Sequence, residues 1–182
     1  MTYKEAVKKL RLILLTMLSI SLCSCNSLFN SNHMDDHEYC DMIMKNLTTY
    51  LAEENTNELK KLFAPKLYDI STFEADLQDL VDYYDGQCES IIGSVTTGEY
   101  SNWDYEEKKH QLEYTIVTNE DTYRFVIYYV VIDSRTNNNI GINSMYVLKL
   151  SEDEFPDKIY GGSLNKVQDG IHVAYPHELP KD

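Results

Sequence analysis

The chain has 182 residues, 43% of them hydrophobic, which suits one domain with a substantial core. Its 30 acidic side chains outnumber 16 basic ones, for a formal net charge of −14. That balance excludes nucleic-acid binding and electrostatic attachment to anionic lipid, because both rely on Lys and Arg to neutralise phosphate.

The start of the chain reads as an address. Lys4, Lys8, Lys9 and Arg11 precede an apolar run over residues 12–22, interrupted only by Thr16, Ser19 and Ser21. This run is shorter than the roughly 20 apolar residues a membrane-spanning helix needs. It ends in Leu22-Cys23-Ser24-Cys25, which resembles the lipobox of bacterial lipoprotein signals: an apolar residue three before the Cys and a small one just before it. By that resemblance, residues 1–24 are a signal peptide, and Cys25 carries a diacylglyceryl (palmitate-type) anchor and becomes the new N-terminus. Cys23 fits less well, because bulky Leu22 would take the small-residue position. The expected location is the cell envelope, with the protein lipid-anchored on the extracytoplasmic face of the cell membrane. Two acyl chains suffice for stable anchoring where one does not. The four basic residues and the single acid Glu5 of this segment leave the remainder more acidic still.

Residues 25–34 form the lipidated Cys and a Ser/Asn-rich tether, and a single α+β domain is expected over residues 35–176, with a tail at 177–182. Asp35-x-x-Glu38 reads as a variant capping box. Cys40, Ile43, Met44, Leu47, Tyr50 and Leu51 then recur at helical spacing as far as about Glu54. Asn55-x-x-Glu58 opens a short helix with Leu59, Leu62 and Phe63, which Pro65 stops. Ser71-x-x-Glu74 opens a third, with Phe73, Leu77, Leu80, Val81 and Tyr84 on one face.

The period then changes to that of strands. Residues 90–100 are rich in β-branched side chains, with Gly93 as an expected bulge or bend. Residues 111–118 and 122–132 are expected to form a hairpin about the Asn119-Glu120-Asp121 turn. The second arm is apolar on both faces, as a central strand is. Ile142, Ser144, Tyr146, Leu148 and Leu150 alternate with Asn143, Met145, Val147 and Lys149 in a further strand. The connections are short, so the sheet is expected to be antiparallel. Residues 171–175 read as a small edge strand stopped by Pro176.

Helices followed by a long antiparallel sheet resemble the cystatin-like or nuclear-transport-factor-like cone, in which a curved sheet wraps a helix. More narrowly, the chain resembles a family of small lipoproteins, the domain-of-unknown-function family 5104. The matching residues are the lipobox at Cys25, the segments Asn57-Glu58-Leu59-Lys60-Lys61-Leu62-Phe63 and Gly141-Ile142-Asn143-Ser144-Met145-Tyr146-Val147, the strand over 123–132, and Gly170-Ile171-His172-Val173. The resemblance implies fold and envelope location and carries over no catalytic residue. Cones of this kind often enclose a pocket, and some resembling members are isomerases or dehydratases that use Asp, His and Tyr.

Candidate acid–base groups are Asp133 and His110. Asp133 closes the most buried strand, but it also opens a polar turn, where Asp is common for its local hydrogen bonds. His110 follows the charged Glu106-Glu107-Lys108-Lys109 run and is expected to be solvated. The acidic stretches Asp35-Asp36-x-Glu38 and Asp153-Glu154-x-x-Asp157 lack the spacing of a calcium loop, no Cys or His set has zinc spacing, and no cofactor motif appears. Export permits a disulfide between Cys40 and Cys88, although Cys40 falls on the apolar stripe of the first helix, where a free Cys packs as a small hydrophobe.

The chain carries 15 tyrosines. Tyr128, Tyr129 and Tyr146 project from strands and can either line a ligand pocket or pack the sheet. Tyr100, Trp103 and Tyr105 lie in one polar loop, as an exposed contact patch or as a cover over the mouth of the cone. The expectation is therefore a lipid-anchored, non-enzymatic module that binds a small apolar ligand or an envelope protein. An isomerase or lyase using the cone pocket is the alternative, and pairing with a second copy through the sheet is a third route.

Overall fold

The apolar stripe of the first predicted helix organises the fold. In the computed structural model, which describes residues 35–152 and 168–174, α1 (Asp36–Ala52) buries Cys40, Ile43, Met44, Leu47, Thr48 and Leu51 along one side. The short α2 (Thr56–Lys60) is capped by Asn55, whose Oδ1 accepts the Glu58 N–H at 3.2 Å. Pro65 opens a single 3₁₀ turn (Pro65–Asp69), and α3 (Phe73–Tyr83) buries Phe73, Leu77, Leu80 and Val81.

The other two predicted caps differ from expectation. Asp35 stands at the N-cap of α1, but its side chain makes no capping bond. The helix predicted from Ser71 starts one residue late, because Phe73 N–H is taken by Ile70 C=O in a tight turn. Thr72 becomes the N-cap, and its hydroxyl donates to the Asp76 carboxylate instead of closing a cap.

Five strands follow, in spatial order β1 (Cys88–Ser101), β2 (Glu106–Thr118), β3 (Thr122–Asp133), β4 (Gly141–Lys149) and β5 (Gly170–Val173), in a curved, unclosed sheet. The architecture is the α+β one expected. β3 is central and buried on both faces, as its two-sided apolar pattern requires. The antiparallel expectation holds for β1 to β4 and fails at the edge, where β5 runs parallel to β4 with Met145 opposite Ile171. The sequence between these strands is about 20 residues long, enough for a return crossover that the hairpins lack.

Helices pack on one face of the sheet, here the inner face. Tyr114 opposite Phe125 opposite Val147, and Leu112 opposite Ile127 opposite Met145, form rows of the core beneath them. Bulges at Lys108/Lys109 and Tyr128/Tyr129 bend the sheet. The second of these inserts Asn143 as an extra residue in β4. Ile142 consequently shares the inner face with Met145 and Val147, and the unbroken alternation of Ile142 with Ser144 and Tyr146 does not occur. The side-chain amide of Asn143 donates to the carbonyls of Asn139 and Gly141 at 2.8 Å each, which satisfies the bulge locally. Gly93 is not a bulge: it pairs in regular register with Tyr114, and the irregularity of β1 lies at its start, between Cys88 and Ser90.

The outer edge of β4 is covered twice. β5 occupies its second half, while Phe63 bridges Ile142 at its beginning, through Ile142 N–H to Leu62 C=O and Ala64 N–H to Ile142 C=O, both 2.9 Å. Gly141 permits this approach. At φ +122° it adopts a conformation that L side chains rarely take, and a β-carbon there would stand 2.8 Å from Ala64 N. The signal segment, Cys25 and its tether, the acidic stretch 153–157 and the tail 177–182 lie outside the described residues.

Candidate functional site

The first turn of α1 and the inner ends of β1 and β2 enclose a polar group in an otherwise apolar core. His110 is on the same side of β2 as Leu112, Tyr114 and Ile116, and its side chain is 0% exposed rather than solvated. The charged residues before it do not form a loop. They pair as strand with β1 and β3, so the alternation of β2 continues through them and turns His110 inward. Its Nδ1 lies 2.9 Å from the Thr97 hydroxyl, and its Nε2 faces Asp36 Oδ1 at 3.9 Å with no hydrogen-bond partner among the described residues. Asp36 is engaged with Lys108 at 2.7 Å, and Lys108 in turn reaches Glu99 at 3.1 Å. Burial lowers the His110 pKa below its ordinary value, with Lys108 acting in the same direction and Asp36 and Glu99 opposing. The imidazole is held among paired charges, and its burial favours the neutral form.

Beside it, Tyr39 and Tyr129 join hydroxyls at 3.0 Å with their rings edge to face. Cys40 is buried on the same helix, and its thiol pKa is pushed up to about 12 by burial and by Asp36 and Asp41. Such a thiol is unreactive. Cys40 and Cys88 are both free cysteines, Cys40 buried and Cys88 partly buried.

Asp133, the other candidate acid–base residue, is also buried, and its carboxylate is fully engaged. Arg135 donates through Nε at 3.0 Å and Nη2 at 3.1 Å, Asn139 through its amide at 2.7 Å, and the Arg135 backbone N–H at 3.0 Å. The Arg135 guanidinium, then Asn139, hold its pKa well below the usual carboxylate range despite burial. Arg135 also pairs with Glu107 at 3.2 Å and stacks over the Tyr105 ring at 4.0 Å. This carboxylate fixes the β3 to β4 connection.

The six aromatic candidates separate into three places. Tyr129 faces α1, as described. Tyr128 and Tyr146 lie on the outer face, where their rings meet edge to face at 6.4 Å and Tyr146 stacks on His172 at 4.4 Å. Burial pushes the Tyr128 pKa up to about 12. Tyr100, Trp103 and Tyr105 occupy the tip of the β1–β2 hairpin. This loop does not fold over the inner face, and Trp103 is fully exposed. Asn102 organises the turn: its Oδ1 accepts the N–H groups of Asp104 and Tyr105 at 2.8 and 3.0 Å, and its amide donates to the Tyr100 hydroxyl at 2.9 Å. Tyr100 and Tyr105 pack at 5.1 Å, with Arg135 capping the pair.

Two features were missed from sequence. The first is the free edge of β1, which among the described residues pairs only with β2 and contains neither Lys nor Pro. The second is a hollow of about 400 Å³ beside that edge on the outer face, lined by Ile92, Ser94, Glu113, Thr115, Arg124 and Leu150, of which Ile92 and Leu150 are exposed. Another, of about 430 Å³, lies between α1 and the start of β1, lined by Asp41, Lys45, Thr48 and Cys88 among others. Neither hollow is lined by His110 or Asp133. No group of three or more metal-ligating side chains occurs among the described residues.

The fold is thus an α+β domain whose open surfaces are a sheet edge and an aromatic tip. A model of the family described as "Domain of unknown function (DUF5104)" matches residues 46–150, more than half of the chain, and the chain belongs to that family. No curated protein matches it.

Proposed function

We propose that this is a lipid-anchored extracytoplasmic module that acts by binding an extended segment of an envelope protein, without catalysis. The lipobox ending at Cys25 supports the location. The observation that carries the binding mode is the β1 edge, 14 residues long, free of Lys and Pro and regular in register from Ser90 to Ser101, lying beside the hollow that exposes Ile92 at 68% and Leu150 at 41%. A strand added there gains main-chain hydrogen bonds along β1, and a side chain placed beside Ile92 and Ser94 reaches the hollow, which supplies selectivity. An isomerase or lyase would draw on His110 or Asp133. The first is enclosed away from both hollows, and the second has its acceptor capacity taken by Arg135 and Asn139.

Native mass spectrometry of the full chain extracted from its own envelope tests the reading, with Ile92→Lys as the variant. A protein-sized extra mass on the wild type that disappears in the variant supports strand addition. A small mass lost on denaturation in both would replace it with a small-ligand pocket, and a doubled mass abolished by the variant would identify a second copy as the occupant.

A further inference from the structure

We infer that the β1–β2 hairpin tip is the membrane-facing pole of the domain and that Trp103, with Tyr100 and Tyr105, enters the headgroup interface of the bilayer. The inference rests on the lipid-anchor reading of Cys25. Its own basis is where the tether meets the domain. Asp36, the first residue of α1, is bound to Lys108, which also holds Glu99 of β1. The described domain therefore begins at the end of the sheet from which the hairpin projects, and Trp103 lies only four residues beyond Glu99, roughly 13 Å at strand rise. The ten steps from Cys25 to Asp35 span at most about 36 Å. An anchored Cys25 thus leaves the tip within reach of the bilayer.

The chemistry of the tip fits an interface. Trp and Tyr favour the headgroup level because their rings are amphipathic. Here Trp103 is fully exposed on a turn already ordered by Asn102, so little conformational freedom is lost on contact. The nearby charges are largely paired: Glu107 and Asp133 with Arg135, and Asp36 and Glu99 with Lys108. Asp104 and Glu106 remain exposed, which disfavours anionic headgroups and points to a neutral or zwitterionic surface.

Trp103 is the single tryptophan of the chain, so its fluorescence reports on the tip alone. The full chain, produced with its anchor in a bacterial host, is reconstituted into phosphatidylcholine vesicles brominated on the acyl chains near the glycerol, and vesicle flotation is measured in parallel. The expected result is a chain that floats, with blue-shifted Trp103 emission, loss of most of its intensity to the bromines, and shielding from acrylamide in water. Adding phosphatidylglycerol should not deepen the quenching. A floating chain whose Trp103 remains open to acrylamide and unquenched by bromine overturns the proposal while leaving the anchor intact. Shielding from acrylamide without bromine quenching overturns it in favour of a protein contact. A chain that does not float refutes the anchor reading, and the membrane-facing tip with it.

Discussion

Tyr114 lies directly against Gly93 across the β1–β2 pairing: a β-carbon on residue 93 would fall 2.4 Å from the ring carbons of Tyr114 and equally close to the Glu113 carbonyl. The missing side chain lets the ring cross β1 and place its hydroxyl 2.6 Å from the Asp41 carboxylate of α1. A strand and a helix far apart in sequence are tied through one phenol. Gly93→Ala is expected to cost about 1–3 kcal/mol by overpacking, whereas Tyr114→Phe, which loses only a bond to a half-exposed carboxylate, should cost about 1 kcal/mol. Urea unfolding midpoints of the two variants test this order, and a neutral Gly93→Ala would show that both the Tyr114 ring and the Glu113 carbonyl can move aside.

Gly141→Ala is expected to be more damaging than Gly93→Ala. The substitution meets both a φ of +122° and the backbone of residues 62–64, and combined strain and overpacking should exceed about 2 kcal/mol. Hydrogen exchange gives the specific signature: the amides of Ile142 and Ala64, which bond across this seam, should lose protection before those of β2 and β3.

The buried imidazole makes stability depend on pH in a predictable direction. His110 has a folded pKa below the unfolded value of 6.5, so the unfolded chain binds the proton more readily. Its contribution is fully present above pH 6.5 and is lost as pH falls below that value, at up to about 1.4 kcal/mol per pH unit. The attraction of Asp36 and Glu99 opposes the loss, and Lys108 adds to it. His110→Gln should flatten the stability profile between pH 6.5 and 5 relative to the wild type. Parallel profiles in denaturant titrations at each pH would contradict the assignment.

Asp133→Ala removes the acceptor for Arg135 and for Asn139 together. Because Arg135 is half exposed and regains water, the expected cost is about 1–2 kcal/mol. The consequence should be local as well: Arg135 loses the partner that holds it over Tyr105, and the Tyr105 ring resonances should shift in NMR spectra while those of Tyr84 and Phe125 stay fixed.

Periodicity alone located α1, α3 and the β2–β3 hairpin, because one stripe or one alternating face is written in contiguous residues. The inward position of His110 was also legible. It has the same parity as Leu112, Tyr114 and Ile116, and only the four charged residues before it suggested exposure to solvent. Those charges are compatible with a strand because Lys108 pairs with Glu99 on the neighbouring strand, a relation that becomes visible only once the register is known. The extra residue Asn143 has no local signal, since its amide is satisfied by carbonyls that exist only when the bulge has formed. The parallel β5 depends on a long return and left no mark beyond a short apolar run. Trp103 in a polar loop was readable as an exposed aromatic. The free edge of β1 was not, because whether a strand is central or peripheral is decided by partners elsewhere in the chain.

The two borders of the sheet are unequal. One ends in β5, four residues long and packed against α3, with the start of β4 closed by the segment around Phe63. The other is the full length of β1. Growth of the described sheet by added strands is therefore one-directional. A copy of this chain paired through β1 to the β1 of a second copy has used the only long border among the described strands, so that pairing closes as a two-copy complex. That asymmetry confines strand templating by the described sheet to one border, β1.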